Sequence, residues 1–252
     1  MNKLTALIPV GNEIHNIKDV IISVNFADEI LVVDSYSTDG TYEVAKKYAT
    51  KVIRREYLYS SSQKNWAIPQ AKYNWILIVD ADERVTPKLR EEIQKILKNP
   101  SKKFNAYWIG RNNHFMDKKV NYSGWRNDGV IRLFKKDFCK YEDKYVHAKL
   151  LVNGRVSRLK NKLHHNTYIN LDKHIEKLNR YASLQAKDYD QHTSKITLFH
   201  FIIKPIWSFF KHFIIQSGFR DGVVGLTISY LKGYSVFMRY VKLWLIRKNI
   251  KK

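Results

Sequence analysis

A single cysteine, Cys139, in a chain of 252 residues leaves no partner for an internal disulfide and no thiolate set for a structural metal. Its expected role is packing. No window reaches the roughly 18 uninterrupted apolar residues of a spanning helix. The start of the chain also lacks a signal-peptide layout, since Met1-Asn2-Lys3 runs at once into the strand-like Leu4-Thr5-Ala6-Leu7-Ile8-Pro9. A cytoplasmic location is expected. Two phosphate loops frequent in α/β proteins are missing as well: there is no Gly-x-Gly-x-x-Gly, and no Gly-x-x-x-x-Gly-Lys followed by Ser or Thr. Phosphates, if bound, must be held by a metal and by side chains. No repeat or low-complexity linker divides the chain.

Acid is scarce. Against 45 Lys+Arg stand only 23 Asp+Glu, a formal net charge of +22. So basic a protein seeks polyanions, whether nucleic acid, an anionic membrane surface or phosphorylated substrates.

The acid that is present has a telling place. Trp75-Ile76-Leu77-Ile78-Val79 is a short apolar run with β-branched residues, and it ends in Asp80-Ala81-Asp82-Glu83. The pattern is that of a buried strand surfacing at its carboxyl end. Three carboxylates at such a tip need water, a cation or hydrogen-bond donors to stay ionised. In an open α/β sheet the crevice beyond the strand ends is the usual ligand site, and acid-x-acid suits a hard cation carrying substrate phosphates. The plainer alternative is a solvated acidic turn, with Glu83 an ordinary surface charge.

Around this tip the chain alternates. Leu4 to Pro9 predicts a first strand, followed by the loop Gly11-Asn12-Glu13. Asn16 is placed to cap a helix bearing Ile17, Val20, Ile21 and Val24 on one face. Glu29 to Asp34 predicts a second strand, again apolar until its carboxylate. The turn-rich Ser35-Tyr36-Ser37-Thr38-Asp39-Gly40-Thr41 then opens a helix, and Lys51 to Arg54 gives a short strand. A helix over Ser60 to Ala71, with a break near Pro69, delivers Gln63, Lys64 and Asn65 before the central strand. Thr86-Pro87 starts the next helix. This spacing predicts right-handed crossovers and a mainly parallel sheet, with Asp34 and Asp80 emerging on one edge.

Beyond residue 104 the alternation fades. Short strands are expected at Ala106–Arg111, Val130–Phe134, Lys149–Val152 and Val156–Leu159, with Asn153-Gly154 as a hairpin turn, and a polar helix from Leu171 to about Ser194. From Ile196 onward aromatic residues interleave with ten Lys/Arg and a single acid, Asp221, for a net of 10 − 1 = +9. Aromatic faces flanked by cations describe helices lying in a membrane interface, where each cation near anionic lipid adds about 1 kcal/mol. A helical hairpin with a solvated basic rim is the competing reading.

These residues resemble a known family. Leu7-Ile8-Pro9-Val10-Gly11-Asn12-Glu13, then Ile30-Leu31-Val32-Val33-Asp34-Ser35 with Thr38-Asp39-Gly40-Thr41, and Ile78-Val79-Asp80-Ala81-Asp82-Glu83 are similar to the family 2 glycosyltransferases of GT-A fold. More narrowly, Gly124-Trp125 with Asp128, Arg132-Leu133-Phe134, Val146-His147, His165 and Lys177-Leu178-Asn179-Arg180-Tyr181 resemble the lipopolysaccharide core branch, the WaaE-type glucosyltransferases. So does the tail Gly218-Phe219-Arg220-Asp221-Gly222 with Gly225-Leu226.

The resemblance implies an α/β GT-A fold, Rossmann-like, with a mainly parallel central sheet, flanking helices and a helical basic-aromatic extension. It spans residues 1–195 (1–100 for the nucleotide sugar, 101–195 for the acceptor) and leaves 196–252 as the membrane-associating piece. It implies a UDP-sugar or similar nucleotide-diphosphate sugar as donor. By carry-over, Pro9, Asn12 and Glu13 line the base pocket, Asp34 and Ser35 read base or ribose, and Gln63, Lys64 and Asn65 stand over the nucleotide. Asp80, Ala81 and Asp82 address ribose, metal and diphosphate, with Arg126, Arg132 and His165 on the diphosphate or acceptor side. The metal, Mg²⁺ or Mn²⁺, would be held by Asp82, Asp80 and His165, and needs few protein carboxylates when the diphosphate supplies the rest.

Inversion also needs a base for the acceptor hydroxyl. The branch usually has His-Glu where this chain has His147-Ala148, so no base carries over at 148. Asp128 is the favoured candidate, and Glu142 and Asp143 the others; a solvated turn explains the latter pair equally well. The expected function is inverting transfer of a hexose, glucose foremost, to a lipid-linked glycan such as the lipopolysaccharide core, by a protein peripheral on the inner face of the cytoplasmic membrane. Transfer to polyprenyl phosphate uses the same donor half. A nucleic-acid-binding module would explain the charge, but no specific nucleic acid is expected.

Overall fold

A computed structural model describes residues 2–145, 148–168 and 171–250. Strands β1 (Leu4–Val10), β2 (Glu29–Asp34), β3 (Lys51–Arg54) and β4 (Trp75–Ile78) are parallel neighbours in the order β3-β2-β1-β4. Both faces of β1, β2 and β4 are covered, which is why their sequences run apolar without alternation. Helices α1 (Ile14–Ser23), α2 (Thr41–Tyr48) and α3 (Ser60–Ala67) make the crossovers, and α4 (Pro87–Lys98) follows the acidic tip. On one face Ile17, Val20 and Ile21 of α1 and Leu89, Ile93 and Leu97 of α4 pack with Ile8, Val32 and Leu77; on the other, Ala67 joins Leu7, Leu31, Ile76 and Ile78. Thr86 caps α4 by accepting from the Leu89 N–H, with Pro87 at the first helical position. The cap expected at Asn16 is not formed. Helix α1 begins three residues earlier than such a cap implies, at Ile14, and Asn16 instead donates its Nδ2 to Glu13 Oε2 at 2.8 Å.

Seven further strands complete the sheets: β5 (Glu83–Arg84), β6 (Phe104–Phe115), β7 (Lys118–Lys119), β8 (Gly129–Lys135), β9 (Cys139–Tyr141), β10 (Leu150–Val152) and β11 (Arg155–Tyr168). The main sheet continues from β4 as β8-β6-β11-β5, antiparallel where β8 meets β4 and β6 and where β5 meets β11. Strands β6 and β11 are far longer than their apolar cores predict, because Asn112, Asn113, Lys160 and Lys162 break the pattern but not the strands. Asn153-Gly154 is a turn, with Gly154 at φ 121°, yet not the expected hairpin: β10 pairs with β9 in a separate two-stranded sheet, and β11 joins the main one. Burial pushes the thiol of Cys139, on β9, up to about 12, in keeping with a packing role. Val146 and His147 lie outside the described residues.

By compactness the chain forms two units, residues 1–112 with 129–165, and residues 113–128 with 166–252. The second contains α5 (Leu171–Asp190), α6 (Leu198–Phe201), α7 (Ile203–Phe210) and α8 (Gly222–Arg247). Helices α5 and α8 pack together around Phe115, Val120, Ile228 and Leu231, joined by Ile175 and Leu178, and again around Ala186, Tyr240 and Leu243. The first turn of α8 needs glycine. A Cβ on Gly225 would stand 1.8 Å from the Gly218 carbonyl oxygen. The helical run Leu198–Ile215 is long and apolar enough by composition to cross a membrane, although Lys204 and Lys211 interrupt it, and none of it is buried in this chain.

His174 of α5 meets Phe115 edge to face at 5.7 Å, and burial, reinforced by Lys177 and Lys232, lowers its imidazole from 6.5 to about 4. The unfolded chain therefore takes up this proton first as pH falls from about 6.5 to 4, and stability drops through that window. His174→Gln is expected to flatten the decline. Urea unfolding midpoints at about pH 7 and about pH 5, wild type against variant, measure it.

Candidate active site

In register Val10 faces Asp34 and Leu7 faces Ile78, so Asp34 and the residues after β4 leave the sheet at the same end, on either side of β1. The loops after β1 and β2 are laced together there. Ser37 Oγ accepts from the Asn12 N–H (2.9 Å), Asn12 Oδ1 from the Thr38 N–H (2.9 Å), Thr41 Oγ1 from the Glu13 N–H (2.8 Å) and Asp39 from the Ile14 N–H (3.0 Å). Burial pushes the Asp39 carboxyl up, but its bonds from the Thr41 hydroxyl and the Ile14 and Thr41 amides outweigh this and hold it low. Asn12 and Tyr36 both sit at φ 55°, left-handed backbone concentrated at the sheet edge. The Thr38-Asp39-Gly40-Thr41 motif is thus the clasp that fixes the mouth of β1 and β2. Gln63 Nε2 donates to Ser35 Oγ at 3.3 Å, while its buried Oε1 has no hydrogen-bond partner among the described residues.

The acidic tip is a tight turn closed from both sides. The Glu83 N–H donates to the Asp80 carbonyl at 2.9 Å, and the Asp80 N–H to Glu83 Oε2 at 3.0 Å. Glu83 is fully buried, the reverse of a surface charge, and Arg132 of β8 (2.8 Å) and Arg111 of β6 (3.4 Å) meet its other oxygen. The same Arg132 nitrogen contacts Asp80 Oδ2, and Lys64 reaches Asp80 Oδ1 at 3.2 Å. Burial pushes the Asp80 carboxyl up, yet Arg132 and Lys64 overcome it and keep it far below the usual carboxylate range. Arg132 is itself raised: burial works against its charge, and Asp80 and Glu83 more than compensate. Asp82, two residues along the turn, points elsewhere. Its Oδ2 lies 3.6 Å from His165 Nε2, because β11 pairs with β5 and sets His165 opposite Glu83.

Other residues proposed from sequence have different surroundings. Asn65 bridges to β9, donating to the Tyr141 carbonyl (3.0 Å) and accepting from its N–H (2.9 Å). Asp34 is buried against Arg54 (3.2 Å), whose guanidinium also stacks on Tyr42 at 3.3 Å. Pro9 occupies the penultimate position of β1, and Ala81 is buried in the turn. Glu142 accepts from the Lys149 N–H and from Lys144, which hold its carboxyl low, and Asp143 accepts from the Tyr59 hydroxyl at 2.6 Å. Asp128, in the second unit, accepts from Asn113 Nδ2 at 3.0 Å and interacts with Lys232, whose ammonium is held below its ordinary value by burial, an effect that Asp128 offsets only in part. Glu83 and Arg111 were missed as site residues. An available signal was arginine in Val130-Ile131-Arg132-Leu133-Phe134, since a cation within so apolar a strand needs a buried acid.

Which residues fit a metal follows from these contacts. Two ligands each about 2.1 Å from Mg²⁺ stand between about 3.0 and 4.2 Å apart, so Asp82 and His165 suit one ion. Asp80 is already neutralised by two cations, and no group of three or more acidic, histidine or cysteine ligands occurs among the described residues. The remaining positions would fall to water and a ligand's oxygens.

Residues 5–158 match the model of Glycosyl transferase family 2, more than half of the chain. The chain belongs to that family. This glycosyltransferase is 32% identical to an uncharacterized glycosyltransferase of Rickettsia felis, over 96% of this chain and 90% of the relative. It is 25% identical to the lipopolysaccharide core biosynthesis glycosyltransferase LpsC of Rhizobium meliloti, over 94% and 93%. Among solved structures, S. aureus TarS 1–349 in complex with UDP is 15% identical, with a TM-score of 0.47 over 98% of this chain and 92% of that one.

Arg132 holds two carboxylates of the transferase at once. Arg132→Met is expected to cost about 3–5 kcal/mol, because it strands buried charge rather than removing a pair. Urea unfolding reads the loss, and Arg132→Lys should recover part of it.

Proposed function

We propose that this family 2 glycosyltransferase moves a hexose, glucose foremost, with inversion from a nucleotide-diphosphate sugar, a UDP-sugar being favoured, to a lipid-linked glycan such as the lipopolysaccharide core. The observation that carries the reading is the turn Asp80–Glu83. It neutralises Asp80 with Lys64 and Arg132 while presenting Asp82 beside His165 at the carboxyl edge of the parallel strands. Asp82 and His165 would hold Mg²⁺ or Mn²⁺, which when bound supplies Lewis-acid stabilisation of the departing diphosphate. The laced loops with Asn12, Glu13, Ser35 and Gln63 form a preset seat for base and ribose, and Gln63 Oε1 keeps an acceptor to offer. In the transfer the acceptor oxygen bonds to the sugar's anomeric carbon, the bond from that carbon to the diphosphate oxygen breaks, and the hydroxyl proton passes to a carboxylate. Asp128 is assigned that proton; Asn113 and Lys232 fix its direction. Glu142 and Asp143 are each tied to local donors and suit a structural role better.

The lipid-linked acceptor is supported by the LpsC relative and by the exposed apolar residues of the second unit. Leu198, Phe199, Ile203, Trp207, Phe210 and Ile215 are each half exposed or more. With Lys204 and Lys211 among them, this run is assigned to the anionic inner face of the cytoplasmic membrane, as a peripheral attachment.

Asp82→Asn tests the donor site. Calorimetry with UDP-glucose and Mn²⁺ is expected to show binding by the wild type and its loss in the variant, with unchanged circular dichroism. Undiminished Mn²⁺-dependent binding in the variant would reject the assignment, and absence of any nucleotide-sugar binding by the wild type would reject the function.

A further inference from the structure

Within the second unit, residues 121–126 are folded onto the turn at 216–222. Asp221 accepts from the backbone N–H groups of Asn121 (3.1 Å) and Tyr122 (2.9 Å) and from the Ser123 hydroxyl (3.3 Å), and the Ser123 N–H donates to the Gln216 carbonyl (3.1 Å). The approach is close enough to need glycine on both sides. A Cβ on Gly218 would stand 2.7 Å from the His212 carbonyl and 3.0 Å from Ser123 Oγ, and one on Gly124 would stand 2.3 Å from Gln216 Oε1. Ser123 and Ser217 are both held in left-handed backbone, φ 56° and 55°, a conformation serine resists. So much local constraint implies that something is being held in place.

What the two loops hold out is an aromatic ring with two cations near it. The Arg220 guanidinium lies 4.5 Å from the Tyr122 ring centroid and that of Arg126 lies 5.9 Å from it. Both arginines are exposed. Asp221, the acid next to Arg220 in sequence, is committed to the 121–123 donors, and among the described residues neither guanidinium has a salt-bridge partner. Two like charges gathered on one ring, with the nearby acid engaged elsewhere, are complementary to an anion. Guanidinium forks match the oxygens of a phosphate group. Phe219, next to Arg220 in sequence, and Ile214 and Ile215, which lead into the same turn, are all about half exposed or more, so apolar surface adjoins the turn that carries Arg220.

We propose that Arg126 and Arg220, spread over Tyr122 and fastened by Asp221, form a binding site for a phosphomonoester or phosphodiester group, presented either on a lipid headgroup or on a soluble phosphorylated ligand. The headgroup source rests on the membrane reading above; the site itself requires neither that nor sugar transfer. Glycerol phosphate titrated into the full-length protein and followed by phosphorus NMR probes the soluble source. Sedimentation with phosphatidylcholine vesicles, with and without phosphatidic acid, probes the lipid source. Arg126→Gln/Arg220→Gln and Tyr122→Leu are compared with Lys187→Gln/Lys195→Gln, which removes equal charge from exposed positions off the ring. The expected result is a loss of about tenfold or more in phosphate binding in the first two variants and much less in the third. Loss with glycerol phosphate shows that a free phosphate suffices; loss only on phosphatidic acid vesicles assigns the headgroup. Equal weakening in all three variants, or no phosphate-dependent binding by the wild type, overturns the site. Circular dichroism of the same samples shows that each variant is folded, and a wild type that binds phosphate but not UDP-glucose rejects the donor reading instead.

Discussion

One guanidinium joins the two halves of the candidate donor site. Arg132 enters from a strand antiparallel to β4 and meets Asp80 and Glu83 together. Without it, two carboxylates at the tip of an apolar sheet would face a low dielectric unpaired, a state that proteins avoid by protonation or local unfolding. With it, and with Lys64 and Arg111, the turn carries its charge and stays closed. The division of labour among three neighbouring acids follows. Glu83 is structural, Asp80 is balanced internally, and Asp82 is turned toward His165.

That arrangement explains why a short acid-x-acid motif depends on distant strands. The motif supplies the carboxylates; β8 and β6 supply the countercharge, and β11 supplies the histidine through its pairing with β5. On the function proposed above, the donor edge has its electrostatics set before any ligand arrives, so little reorganisation is needed for a diphosphate to bind.

Much of this was legible in the sequence, and the reasons differ by element. Strands β1, β2 and β4 were readable because both faces are buried, which writes an unbroken apolar run into the chain. Asp34 and Asp80 could be placed on one edge because parallel strands share a direction. Glu83 could not be read correctly, since its partners lie 28 and 49 residues away and a carboxylate in isolation looks solvated. Asn65 has a second use that its sequence position does not reveal: its side chain bridges to the neighbouring strand β9. Strands β6 and β11 outran their apolar cores because hydrogen bonding to neighbours sustains a strand where its side chains are polar.

The state of Cys139 has a practical corollary. With its thiol pushed up to about 12, the lone sulfur carries on the order of a thousandfold less thiolate at neutral pH than an ordinary cysteine. A second cysteine engineered onto an exposed loop would capture a maleimide dye almost exclusively. The native chain therefore already serves as a low-background host for fluorescence or spin labels, with its own sulfur left in place.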